Sequence, residues 1–327
     1  MRRRTDPDSA LAFGSEEGGE SAEEVGGVGT TSAASEDVRN ARPSSVHSLG
    51  TASEPDEVVG VALSSGSSPT ATPEEGWTRQ HLERVAQQGF QLQQRGDRWE
   101  LQLSMGGLDP PLTEAAMERY CAWLDARLST VREEHGPQAL RRCHGDVDFS
   151  RNGLNNQAVW ALLETLAHHE VHVSVLKLHK NCISQGGVLA LCEFLRSNRK
   201  AGPVHELHLS HNEIDDESVL ELMRTLRDQD RRYPPLRLVD GQETVAPVWV
   251  RLHQNRIRDY RGTLDAMDSE GITHCSARSS KGCGLTKCSR PGDTPLCHLK
   301  FFAEQNNHTR VILCYVMACC GVLCHAV

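Results

Sequence analysis

The sequence predicts an α/β solenoid, with short parallel strands on a concave face and helices on a convex one, preceded by a disordered N-terminal tail. Three observations predict it. A strand-like motif ending in asparagine is written four times, as VDFSRNGL, LKLHKNCI, LHLSHNEI and VRLHQNRI, which places Asn152, Asn181, Asn212 and Asn255 at separations of 29, 31 and 43 residues. An amphipathic run follows each of the first three copies. The first 76 residues, finally, have the composition of a chain that does not fold.

That tail, residues 1–76, holds 14 Asp/Glu against 5 Lys/Arg, is otherwise mostly Ser, Gly, Ala, Thr and Pro, and has Phe13 as its sole aromatic. Such a segment cannot bury enough apolar surface to offset its ordering entropy. Its charge of −9 equals that of the whole chain, so residues 77–327 balance 30 basic against 30 acidic side chains. A neutral folded part argues against nucleic acid as a partner. Arg2-Arg3-Arg4 is followed by Thr-Asp-Pro-Asp-Ser rather than an apolar run, so no secretory leader is expected. Of twelve cysteines, only Cys121, Cys143, Cys182 and Cys192 precede residue 270, which fits reduced thiols in a cytoplasmic protein.

Residues 77–144 read as an N-terminal cap: a helix over 77–88, a hairpin turning at Arg95-Gly96-Asp97, and a degenerate copy of the motif. In that copy, WELQLSMGGL, Leu101, Leu103 and Leu108 match Val147, Phe149 and Leu154, and Gly106 takes the asparagine's place. A helix from Thr113 to Glu134 follows, capped by Thr113 after Pro110-Pro111.

Residues 145–272 carry the four matched units. Alternate aliphatics point inward from each strand, and the helical faces are Val159, Trp160, Leu162, Leu163, Leu166, then Val188, Leu189, Leu191, Cys192, Leu195, then Val219, Leu220, Leu222, Met223, Leu226. About twelve extra residues separate Asn212 from Asn255, within RRYPPLRLVDGQETVAP, and read as a loop carrying a short strand at Leu236–Val239. Over residues 145–265 the pattern LxxLxLxxNxL is met at Leu176, Leu178, Asn181, Ile183 and at Leu207, Leu209, Asn212, Ile214, and more loosely at Val147, Phe149, Asn152, Leu154 and at Val250, Leu252, Asn255, Ile257. These units resemble leucine-rich repeats of the ribonuclease-inhibitor type. A doubly wound sheet would not repeat an asparagine at a fixed offset. The resemblance implies stacked parallel strands with Asn152, Asn181, Asn212 and Asn255 forming a structural ladder where each chain turns off its strand.

In that architecture the residues between the inward leucines line the concave face. The candidate partner-binding set is Asp148, Lys177, His179, Glu206, His208, His211, Trp249, Arg251 and His253, with Trp249 as an aromatic anchor. A metal cluster among His179, His208, His211 and His253 is the sharper alternative on strands about 4.8 Å apart. A Ser-His-Asp site drawn from Ser150, His179 and Asp148 lacks the spacing of a nucleophile turn.

The chain changes character over residues 273–310. Cys275, Cys283 and Cys288, separated by seven and four residues, resemble the first three ligands of a CCCH zinc finger. Gly292 stands where that finger has its histidine, leaving Cys297, His298 or His274 as substitutes, and unligated thiols as the other reading. No cofactor is expected from the sequence, with zinc at these cysteines as the alternative. The final segment, 311–327, is uncharged; as a helix it would span about 26 Å, against about 30 Å of bilayer core, so membrane attachment and packing on the last repeat both stay open.

The functional expectation is a non-enzymatic scaffold that binds a protein or peptide on its concave face. Two other readings stay open: a regulator of GTP hydrolysis by a small GTPase, because Ran GTPase-activating proteins share this repeat type, and an RNA-binding protein acting through a zinc-bearing Cys-rich end.

Overall fold

The computed structural model describes residues 76–229, 232–239, 241–276, 283–288, 292–300 and 302. In chain order the elements are α1 (Arg79–Gly89), β1 (Phe90–Arg95), β2 (Arg98–Ser104), α2 (Glu114–His135), α3 (Gln138–Arg141), β3 (His144–Asp148), α4 (Asn156–His168), β4 (Val173–Lys177), α5 (Gln185–Ser197), β5 (Glu206–His208), α6 (Asp216–Arg227), β6 (Leu236–Val239), β7 (Gln242–Val245), β8 (Val248–Arg251), α7 (Tyr260–Ser269), β9 (His274–Cys275) and β10 (Cys297–Lys300). Eight strands form one sheet in the order β1-β2-β3-β4-β5-β8-β10-β9, antiparallel at β1-β2 and parallel elsewhere, while β6 and β7 form a separate hairpin. The helices stack in the same sequence, α1 on α2, α2 on α4, α4 on α5, α5 on α6 and α6 on α7.

Side chains alternate across a strand, so registered parallel strands line up like with like. One rung runs Leu103, Val147, Leu176, Leu207, Val250, Leu299, and every member is 0% exposed. Each such side chain contributes about 1.5–3 kcal/mol on burial. The helices cover this face with Leu162, Val188, Leu191, Val219 and Leu222, all at 1% exposure or less. Their starts are fixed by side-chain caps: Thr113 accepts from Ala116 N, Asn155 from Ala158 N, Asp215 from Ser218 N and Asp259 from Gly262 N. Where α5 begins, Asn156 of the preceding unit accepts from Ser184 N and Gly187 N, both at 2.9 Å.

The four asparagines sit at the ends of successive strands and bond across them. Asn181 Oδ1 accepts from Asn152 N and Leu154 N, and its Nδ2 donates to Phe149 O and Leu178 O. Asn212 repeats this one strand along, accepting from Asn181 N and Ile183 N and donating to Leu178 O and Leu209 O. Asn255 accepts from Ile214 N and donates to Leu209 O and Leu252 O, and Asn152 Nδ2 donates to Met105 O. The residues just before them, Arg151, Lys180, His211 and Gln254, all lie in the left-handed region at φ 61°, 58°, 57° and 60°. A non-glycine residue there costs about 1–2 kcal/mol, and the asparagine bonds offset it four times over.

The N-terminal region keeps the expected order with shifted edges. Trp77 precedes α1 rather than opening it, and is buried with its Nε1 donating to Pro111 O. The β1-β2 turn holds Gly96 at φ 62°, and β2 joins the parallel ladder through Leu103 opposite Val147. At Gly106, in the asparagine's place, a Cβ would come within 2.6 Å of Asp148 Oδ1, so that strand end admits no side chain without displacing the carboxylate. Two features differ from expectation. The strand at Leu236–Val239 pairs with Gln242–Val245 as a hairpin, and the sheet extends past β8 through the Cys-rich segment, with β10 lying between β8 and β9. Among the described residues no helix is long and apolar enough to cross a membrane; residues 311–327 lie outside them, as does the N-terminal tail up to residue 75.

Replacing Asn212 by Ala leaves the buried amides of Asn181 and Ile183 without their acceptor and removes one of two donors from Leu178 O and Leu209 O, so its expected cost is about 3 kcal/mol or more. The cap replacement Asn155→Ala should cost about 1 kcal/mol. Urea unfolding followed by circular dichroism checks both, and equal costs would contradict a ladder role for Asn212.

Candidate functional site

On the sheet face opposite the aliphatic rung, the same register produces two polar rungs. One runs Gln102, Asp146, Val175, Glu206, Trp249, His298, Cys275, and the other Ser104, Asp148, Lys177, His208, Arg251, Lys300. The hydrogen-bond ladder continues beyond the strands, with Arg151 N donating to His179 O, Lys180 N to Ser210 O and His211 N to His253 O. The candidate residues taken from separate repeats are therefore neighbours on one surface.

The two ends of that surface differ. Toward β1–β4 it is open: Gln91, Gln102 and His144 are exposed, Asp146, Asp148, Lys177 and His179 half-buried, and Gln91, Gln102, His144 and Asp146 line a polar depression of ≈ 280 Å³. Lys177 Nζ donates to Asp146 Oδ2 at 2.8 Å, and Asp148 Oδ1 accepts from both the hydroxyl and the amide of Ser150, at 2.6 and 3.0 Å. These bonds fix the direction of the side chains before any ligand arrives. Burial lowers the pKa of His179, against the pull of Asp148, so the imidazole is neutral at pH 7.

Toward β5, β8 and β10 the surface is already occupied. Arg237, from the β6-β7 hairpin, donates to Glu206 Oε1 at 3.3 Å and to His205 O at 2.8 Å, while His208 Nε2 lies 3.2 Å from Glu206 Oε2. Burial pushes the Glu206 carboxyl up, but His208 and Arg237 outweigh it and hold the group below its ordinary range. Glu206 is 8% exposed and belongs to this internal network rather than to a free binding face, which corrects the sequence expectation. Trp249 is corrected likewise. It is 5% exposed and stacked on His298 at 4.4 Å between ring centroids, so it anchors the sheet's end and not a partner. Sequence reasoning missed both Asp146, which its period-two relation to Asp148 could have shown, and Arg237, which no such relation could, because only tertiary folding brings the hairpin to β5.

The proposed histidine metal cluster does not form. His211 and His253 meet edge to face at 5.4 Å, and among the described residues neither they, His179 nor His208 joins a group of three metal-competent side chains. The Ser150 hydroxyl is committed to Asp148 rather than to an imidazole, so the triad drawn from Ser150, His179 and Asp148 is not assembled. Two metal-competent groups do exist. Asp125, His168 and His169 lie on the helical side, where His169 Nε2 already bonds Asp125 at 2.8 Å. The other is Cys275, Cys283, Cys288 and His298, whose ligand atoms all lie within 4.8 Å of one another. Cys297 is excluded from it: alternation along β10 turns Cys297 and Leu299 into the core at 0% exposure and sends His298 to the opposite face. His274 is also outside the group, with its Nδ1 3.4 Å from Asp268. The chain matches no protein-family model and no curated protein.

Burial lowers the His205 pKa to about 3, with Arg237 adding to the effect, and that of His253 to about 4, with His211 and Arg251 adding. Both are depressed below the unfolded value of about 6.5, so the unfolded chain takes up the protons first. Stability is therefore full above about pH 6.5 and falls as the pH drops toward 4, by up to about 1.4 kcal/mol per pH unit for each histidine. Urea midpoints at pH 7, 6 and 5 check this, and His253→Gln should flatten the slope.

Proposed function

We propose that this chain is a short leucine-rich-repeat solenoid of the ribonuclease-inhibitor-like type, with its strands on a concave face. On this reading it is a non-enzymatic interaction module that binds an extended protein or peptide segment across β1–β4. The observation that carries the reading is the pair of registered polar rungs, where Asp146 and Lys177 stand half-exposed and paired with each other and Asp148 is braced by Ser150, with His179 half-exposed just beyond them. A rigid sheet displaying braced donors and acceptors loses little entropy on binding. A segment laid across the strands meets a carboxylate, an ammonium and an imidazole in sequence, which selects a partner of alternating polarity. Glu206 with its partner His208, and Trp249, do not belong to this surface, whereas Arg251, His211 and His253 lie along its continuation toward β8. The Asn152, Asn181, Asn212 and Asn255 ladder, the stacked helices and the aliphatic rung support the repeat assignment.

The test uses the full-length chain. Partners it captures are titrated against the wild type, Asp148→Ala with Lys177→Ala, and Trp160→Ala on the exposed helical side. Loss of braced central contacts should weaken binding about tenfold or more, equivalent to about 1.4 kcal/mol, with Trp160→Ala neutral. Unchanged affinity in the Asp148/Lys177 double variant, or a loss confined to Trp160→Ala, would remove the strand face as the binding site.

A further inference from the structure

We propose that Cys275, Cys283, Cys288 and His298 bind one zinc ion that closes the C-terminal end of the sheet. The inference does not depend on which partner the open face binds.

Three separate pieces of backbone bring the ligands together. Cys275 on β9 is the registered neighbour of His298 on β10, so the two side chains leave the sheet on the same face. Cys283 and Cys288 flank a tight turn closed by Gly284 N donating to Lys287 O at 2.9 Å, and their sulfurs lie 3.9 Å apart. A tetrahedral zinc with Zn–S of about 2.3 Å and Zn–N of about 2.0–2.1 Å requires edges of about 3.8 Å between sulfurs and about 3.6 Å from sulfur to nitrogen. All four ligand atoms lie within 4.8 Å of one another, so the set closes onto an ion with sub-ångström to ångström adjustments.

The histidine is presented as a ligand. His298 is 1% exposed, and its Nδ1 is buried without a hydrogen-bond partner, a position that is costly for an imidazole left unligated. Stacking against Trp249, with the ring planes 17° apart, sets the ring's orientation. Three thiolates and one divalent ion leave a net charge of −1. Lys300, two residues along β10 on the same face and 5.8 Å from the Trp249 ring, supplies a compensating cation. Three sulfurs and one imidazole in a closed set, buried except for the half-buried Cys288, favour zinc over hard cations and leave no open position for catalysis.

The ion would do structural work that the chain there does poorly. Strand β9 has two residues, and the 283–288 turn is closed by the Gly284–Lys287 bridge. Joining both to β10 fixes the strand that lies between β8 and β9, and with it the Trp249 stack beside Glu206. Binding to the four side chains releases the thiol protons, so loading is favoured as the pH rises.

The experiment is metal analysis of the full chain purified under reducing conditions with zinc supplied. One zinc per chain is expected, retained by Cys297→Ala and lost by His298→Ala and by Cys283→Ser with Cys288→Ser. Because those variants can fail to fold, the wild type carries an independent readout. Alkylation mapped by mass spectrometry should spare Cys275, Cys283 and Cys288 until a chelator is added, and the chelator should lower the melting temperature. A chain holding no zinc, one holding iron instead, or one in which Cys283 and Cys288 are joined as a disulfide would overturn the assignment, as would full zinc content in the double cysteine variant.

Discussion

The hydrogen bonds of the buried asparagine amides set the geometry on which the rest of the structure depends. Where a strand ends and the chain turns, backbone donors and acceptors are left facing protein rather than water. Asn181 and Asn212 each bridge two strands, accepting from amides of the unit before and donating to carbonyls of that unit and their own. That geometry is met at one register only. A slip of one residue would carry Leu176 and Leu207 to the polar face and Lys177 and His208 into the core.

Fixing the register has two consequences at once. It completes the aliphatic rung from Leu103 to Leu299, and on the opposite face it converts residues from distant repeats into continuous polar rows. Those rows then meet different fates. Near β3 and β4 they remain accessible, braced by Asp146 with Lys177 and by Asp148 with Ser150. Near β5 and β8 the inserted hairpin delivers Arg237 to Glu206, and β10 delivers His298 to Trp249, so side chains of the same pattern become internal. A buried Arg–Glu–His network is weak evidence for added stability, since desolvation offsets most of the attraction, but it fixes where the hairpin lies. The proposed interaction surface and the proposed zinc site thus lie at opposite ends of one sheet.

Much of this was legible without coordinates wherever a feature depends on period. The order of the four strands and of the helices in the first three units, the cap at Thr113, and the outward position of Lys177 and His179 follow from alternation, from helical spacing and from a short polar residue before an apolar run. The degenerate unit at Leu101 and Leu103 was also readable, because a glycine replacing the asparagine leaves the aliphatic period intact. Trp249 and Glu206 were misread as surface because their strand positions equal those of exposed residues in neighbouring units. What covers Glu206 is Arg237, 31 residues later, and what covers Trp249 is His298, 49 residues later, and no local pattern reports such distances.

The Cys-rich segment shows the same division. Three thiols in a spacing that resembles a zinc finger were visible in the letters, and so was the missing histidine at Gly292. Whether Cys297 or His298 faces the thiols is a question of strand parity, and parity is settled only once β10 is paired with β8 and β9. The sequence by itself therefore determined the repeating units, their polarity and their order, because side-chain period and turn chemistry are local. Tertiary structure alone decided which polar residues stay accessible and which side chains converge, because both depend on segments far apart in the chain being brought to the same edge of the sheet.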